Sequence, residues 1–313
     1  MKGYKYTKEM TFKKYHFKVS DVHEIYVEER GNPNGVPVIC FHGGPGGGIN
    51  DQFSTFFDPK YYHVILFDQR GCGKSLPYLE TKDNNIFFSI EDAEKLRESL
   101  GIDKWFVFGG SYGSTLSLAY GVNHPDRCLA LIIRGVFLGT NEEVDWLYKY
   151  GAGCVFPEMF DYLKSYAPLD KQDDLLEFYY QEIQSGDKTR QLEAATRWEN
   201  YEHAVSYLEP VTEFPELLGE KEIAMAVMET HYFHEHIFPD EMYLLKNINK
   251  LKDIPVHVVH GRYDMCCHVK AAYELKKALP SCILYITMAG HSQFDPNNLI
   301  KLTEIMDSLK IKK

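Results

Sequence analysis

Between Gly35 and Arg134, short apolar runs alternate with glycine turns and helical stretches, the pattern of buried parallel strands joined by crossover helices. The runs are VPVICF (36–41), YHVILFD (62–68), KWFVFG (104–109) and CLALIIR (128–134). SIEDAEKLRESLG predicts a helix with Ser89 as its N-cap, Asp and Glu in its first turn and its end at Gly101. Ahead of Gly31, YTKEMTFKKYHFKVSDVHEIYVEERG alternates apolar and polar positions and predicts a half-exposed antiparallel hairpin at a sheet edge.

After Gly139 the pattern changes. Up to about residue 243 the chain is rich in Tyr, Glu, Asp and Leu at helical spacing, which predicts a helical insertion. The earlier rhythm then resumes with the strand IPVHVVHG (254–261), a helix over 269–279, the strand CILYITM (282–288) and a last helix after Pro296. The expected organisation is a mostly parallel α/β sheet domain made of residues 1–138 and 244–313, interrupted by a helical cap over 139–243. A length of 313 residues suits one core carrying an insertion.

Composition narrows the partners. A hydrophobic content of 44% is globular, and a net charge of -11 repels phosphate backbones, so nucleic acid is not an expected partner. The opening residues lack the apolar core of a signal peptide, and no stretch reaches the length of a membrane span, so a cytoplasmic protein without membrane contact is expected. Seven cysteines, an odd number, suit reduced thiols better than a disulfide framework.

The chemistry is concentrated at strand ends. Gly109, Ser111 and Gly113 form G-x-S-x-G between an apolar strand and an apolar helix, where a sharp turn exposes the serine hydroxyl. Serine needs a base, and the base an orienting carboxylate. Asp264 and His291 each follow a later strand, and the order Ser111, Asp264, His291 is that of α/β-hydrolases. FHGGPGGG supplies glycine-freed N–H groups, and the oxyanion hole is assigned to those of Gly44 and Tyr112. The glycine run does not fit G-x-G-x-x-G, and DQRGCGKS has Asp68 where a phosphate-binding loop needs glycine. HYFHEH, with His231, His234 and His236, is not H-E-x-x-H, so no metal site is expected.

With these pieces placed, nearly the whole chain resembles the proline iminopeptidases, serine peptidases of the α/β-hydrolase fold. The likeness rests on HGGPGGG, FDQRGCGKS, GGSYGSTLSLAY, HPDR, RGVFL, RWENYE, ETHYF, GRYD and GHS. It implies a peptidase that needs no cofactor and acts on small peptides with a free N-terminal proline. It implies that Glu199 in RWENYE and Glu229 in ETHYF bind the substrate amine, with Glu202 left as scaffold. The family's R-G-x-F arginine matches Arg134, expected to hold the two carboxylates ionised, and Phe137 is expected to wall the pyrrolidine ring. Carboxylates at a fixed distance from the nucleophile distinguish a chain end from a mid-chain bond. Two rivals share the scaffold: a broader aminopeptidase or tripeptidase, and an esterase or lactonase whose substrate has no amine. Tyr112 stands where the family commonly has Trp, beside the expected floor of the proline pocket, and Lys74 and His268 replace a usual Arg and Pro.

Overall fold

The computed structural model of the chain describes residues 6, 11–209 and 211–310. Among them, eight strands form one sheet in the order β1-β2-β4-β3-β5-β6-β7-β8. They are β1 (Thr11–Lys18), β2 (Glu24–Gly31), β3 (Val36–Phe41), β4 (Tyr62–Phe67), β5 (Trp105–Ser111), β6 (Cys128–Val136), β7 (Val256–Gly261) and β8 (Ile283–Thr287). The β1–β2 and β2–β4 pairs are antiparallel and the rest parallel. All six expected apolar runs are strands, and the expected hairpin is β1–β2, although residues 7–10 of its first arm lie outside the described residues.

Continuous apolar runs follow from burial of both sheet faces. Ile39, Phe41, Val107, Ile133 and Val258 face one core, whereas Val38, Cys40, Phe106, Phe108, Ile132 and Val259 face the other. The period of two along each strand thus feeds two separate clusters. The first core also takes residues of α1 (Ile86–Ser99), α2 (Tyr112–Asn123) and α9 (Val269–Ala278), and the second those of α10 (Pro296–Ser308).

Helix α1 corrects the expected start. It begins at Ile86, and its N-cap is Asn85, whose side chain accepts from the N–H groups of Phe87 and Phe88. Ser89 is a buried position inside the helix, and the first turn carries no acidic residue. An Asn cap satisfies the orphan donors as well as Ser, and the apolar triplet IFF disguised the first turn as a loop.

Between β6 and β7 the described residues form helices and loops only: α3 (Asn141–Asp145), a π-helical turn (Trp146–Tyr150), α4 (Pro157–Lys164), α5 (Leu175–Ile183), α6 (Lys188–Ser206), α7 (Ala224–His234) and α8 (Tyr243–Asn247). Aromatic residues of this helical segment continue the first core, with Tyr179, Trp198 and Tyr201 fully buried there.

Candidate active site

Ser111 ends β5 and precedes α2 at φ 60 and ψ -132, a backbone region that disfavours any side chain. The neighbouring glycines make this turn possible. A Cβ at Gly109 would lie 2.2 Å from the carbonyl of Gly113, and one at Gly113 would lie 2.2 Å from that of Phe41. The Ser114 hydroxyl donates to the Ser111 carbonyl at 2.7 Å and so closes the turn from the helix side.

His291 and Asp264 meet beside this turn. The imidazole Nδ1 lies 3.0 and 2.9 Å from the two carboxylate oxygens of Asp264, which places the ring proton on Nδ1. Asp264 is buried, and its Oδ1 also accepts from the N–H of Cys267 at 2.8 Å. Its carboxyl is held low: burial opposes ionisation, but the neighbouring His291 and His260 rings and the Cys267 N–H outweigh it. Gly135, at φ +54, leaves room for the pair, because a Cβ there would come within 3.1 Å of the His291 ring.

The HGG loop runs against the serine: a Cβ at Gly43 would touch Ser111 Cβ at 3.1 Å. DQRG braces this loop from behind. Gln69 donates through its side chain to the His42 carbonyl, and its backbone N–H donates to His42 Nε2, both at 3.0 Å. Asp68 accepts from the N–H groups of Ile49 and Lys74 at 2.6 and 2.8 Å, and Arg70 grips Asp92 of α1 through two 2.7 Å bonds. The motif is therefore a buried brace, and the Lys74 side chain plays no part in it.

A small cleft opens over Ser111. Gly44, Phe137, Leu147, Tyr148 and Phe233 wall it, Cys266 and Cys267 lie at its side, and three carboxyls line it: Glu202, Glu229 and Glu143, the last engaged by the N–H groups of Leu138 and Thr140. Phe137 and Phe233 meet edge to face. Glu229 is buried on α7 and accepts from the Trp198 indole at 2.7 Å, while Glu202 accepts from the Tyr148 hydroxyl at 3.0 Å. Tyr148 stacks on Trp198 with centroids 3.9 Å apart, so the two donors fix the two carboxylates together. Burial first, and the neighbouring Glu202 second, push the Glu229 carboxyl well above the usual carboxylate range.

Four sequence-based expectations are corrected by this geometry, the first being Glu202, which lines the cavity instead of serving only as scaffold. Glu199 does not line the cavity; it accepts from the N–H of Ala226 at 3.2 Å. That N–H is in the first turn of α7, whose own N-cap, Ile223, has no side chain able to accept. Glu199 of α6 therefore caps α7 from outside, as a carboxyl at a positive helix end does. Arg134 does not reach the glutamates: its Nη1 donates to His291 Nε2 at 3.1 Å and to the His291 carbonyl at 2.8 Å. Its guanidinium lies flat over Gly110, where a Cβ would meet Nη2 at 2.5 Å. The Tyr112 ring is buried edge-on against Tyr232 and is not part of the cavity wall.

Comparison with known proteins fits this arrangement. The α/β-hydrolase fold family matches residues 36–297. A probable proline iminopeptidase of Leptolyngbya boryana is 42% identical over 293 residues, covering 92% of this chain and 91% of that one. The proline iminopeptidase of Arabidopsis thaliana is 40% identical over 298 residues, covering 94% and 78%. This chain belongs to the proline iminopeptidases. Members of this family are serine hydrolases, and this chain is one of them. Among solved structures, an esterase of Exiguobacterium antarcticum shares the fold at 18% identity and a TM-score of 0.63, covering 91% of this chain and 95% of its own.

Other ligand-bearing residues of this proline iminopeptidase chain have separate partners. His231 bonds to the Asn84 carbonyl, His234 pairs with Glu177 and stacks on Tyr180, and His236 bonds to Asn141, so the three do not converge. Asp264, Cys266 and His291 do converge, within 4.8 Å. Two of the three are already bonded to each other, and the Arg134 charge beside them opposes a second cation. Sequence reading missed Tyr148, Phe233 and Cys266 as cavity walls, since each looked like an ordinary core residue. Among the described residues, no helix is long and apolar enough to cross a membrane. All seven cysteines are free, six of them buried.

Proposed function

We propose that this chain is an exopeptidase that releases N-terminal proline from peptides through an acyl-enzyme, with Ser111 as nucleophile, His291 as base and Asp264 as its orienting carboxylate. The observation that carries the reading is the carboxylate pair Glu202 and Glu229 facing into the same small cavity as Ser111. A prolyl secondary ammonium has two donors, one for each carboxylate; its charge favours ionisation of Glu229, which burial and Glu202 hold protonated when no amine is bound, and Phe137, Tyr148 and Phe233 supply apolar surface for its ring. The residues 139–243 that we assign to the cap supply both carboxylates. With the amine held there, the bond beyond the proline meets the serine.

In the first step His291 Nε2 takes the Ser111 proton as the hydroxyl attacks the prolyl carbonyl. Since Nε2 accepts from Arg134 in this structure, the serine hydroxyl replaces that donor before attack. The oxyanion is received by the N–H groups of Gly44 and Tyr112, the latter at the start of α2, where the helix end favours negative charge. His291 then gives its proton to the leaving amine and activates water against the acyl-enzyme. The carboxylates hold the ammonium throughout and no cofactor enters any step.

The test compares prolyl-2-naphthylamide with alanyl-2-naphthylamide on wild-type protein and on Ser111→Ala. The proposal predicts faster turnover of the prolyl substrate and its loss in Ser111→Ala. Equal turnover of the two would make the protein a broad aminopeptidase, and surviving turnover in Ser111→Ala would overturn the mechanism.

A further inference from the structure

His260 is a fully buried imidazole next to the His291–Asp264 pair, and the mechanism above does not use it. Its Nδ1 accepts from the N–H of Val136 at 3.0 Å, and its Nε2 donates to the carbonyl of Cys267 at 2.8 Å. Both assignments are forced, because a backbone N–H only donates and a carbonyl only accepts. The ring is thus held in one neutral tautomer; a proton on Nδ1 would oppose the Val136 N–H. Burial, the main influence on the ring, acts in the same direction and lowers its pKa.

Its two bonds join the elements that carry the reacting groups. The β6–β7 ladder pairs Arg134 with Val259 and stops there. Beyond it Gly135 turns at φ +54, and the Val136 N–H finds its acceptor in the His260 ring. At the other end, Cys267 is held through both backbone groups: its carbonyl by His260, its N–H by Asp264 Oδ1 at 2.8 Å. The His260 Nε2–H also lies 3.5 Å from Asp264 Oδ2, the oxygen nearer to His291. One ring therefore sets the loop after β7 against the end of β6, and through Cys267 fixes which way the Asp264 carboxylate points.

We propose that His260 is a positioning residue for the reaction, acting through Cys267 and Asp264 to aim the carboxylate at His291 Nδ1. The inference rests on the triad reading of Ser111, His291 and Asp264. An apolar residue of similar volume fills the space but leaves the Val136 N–H and the Cys267 carbonyl unpaired, and it frees the Asp264 loop to shift. Gln places an amide N–H about where Nε2 stands and keeps the bond to Cys267; Asn is too short to do so.

The experiment measures kcat and KM on prolyl-2-naphthylamide for wild type, His260→Leu, His260→Gln, His260→Asn, Asp264→Asn and the Asp264→Asn/His260→Leu double variant. His260→Leu is expected to lower kcat about tenfold or more with little change in KM, short of the roughly ten-thousandfold loss that removal of a triad aspartate causes. His260→Gln restores most of kcat and His260→Asn does not. In the Asp264→Asn background, whose residual activity is measurable, His260→Leu costs less than about twofold more, since residues acting through one another are not additive. Equal kcat in folded His260→Leu and wild type, or a full additive loss in the Asp264→Asn background, overturns the proposal. If His260→Leu does not fold, equal kcat in the Gln and Asn variants overturns it instead. Should Asp264→Asn keep full turnover, the triad reading falls and this role with it. A large loss in Asp264→Asn beside full activity in His260→Leu removes only the role of His260.

Discussion

Glu199 and Glu202 sit three positions apart on α6 and so project from neighbouring parts of one helix face. Spacing alone does not tell which of them looks into the cavity. The partners decide: Tyr148, stacked on Trp198, donates to Glu202, whereas the start of α7 claims Glu199. Those partners come from the π-helical turn at Trp146–Tyr150 and from α7, segments whose placement against α6 is a tertiary fact. A resemblance to a short motif therefore pointed to this turn of helix, but the carboxyl that lines the cavity is the one three residues on. Glu202→Gln is expected to lower kcat/KM on prolyl-2-naphthylamide by about tenfold to a hundredfold, the weight of a charge-assisted hydrogen bond to an ammonium. Steady-state kinetics on the purified variant read this directly, and unchanged kcat/KM would remove Glu202 from amine recognition.

At the level of elements, the capping of α7 by Glu199 has its own consequence. Burial, as the largest influence, pushes the Glu199 carboxyl up to about 8. Because this pKa is raised on folding, the folded state binds the proton more tightly than the unfolded chain does. Its contribution to stability is fully present below the usual carboxylate pKa of 4.5 and is lost as pH rises through about 8. Glu199→Gln keeps an acceptor for the Ala226 N–H and removes this titration. The expected outcome is kcat/KM within about twofold of wild type, as for a residue outside the site, and a thermal midpoint that falls less between neutral and alkaline pH. Thermal melts across that range check it; a loss of activity comparable to that of Glu202→Gln would return Glu199 to the site. The same scale shows what sequence patterns convey. The central strands were legible because both of their faces are buried, so that apolar residues run along them with little interruption. The start of α1 was not, because Asn85 caps a first turn made of apolar residues that look like a loop end.

For the whole molecule, the sheet places at its strand ends residues far apart in the chain: Ser111 at the end of β5, Asp264 after β7 and His291 after β8. That arrangement was legible because each residue follows an apolar strand in a fixed order. Arg134 was not legible in the same way. It lies inside β6, close to the strand's end, and its direction depends on Gly110, which lets the guanidinium lie on the backbone and reach His291. On the function proposed, recognition of a free amine belongs to the helical segment and the sheet together, with Glu202 and Glu229 on α6 and α7 lining the same cavity as Ser111. The most direct measurement is the ratio of kcat/KM for prolyl-2-naphthylamide to that for N-acetylprolyl-2-naphthylamide on the wild-type protein. The account predicts strong preference for the free amine, about a hundredfold or more from two charge-assisted bonds. Equal turnover of the blocked substrate would contradict it and point to an esterase.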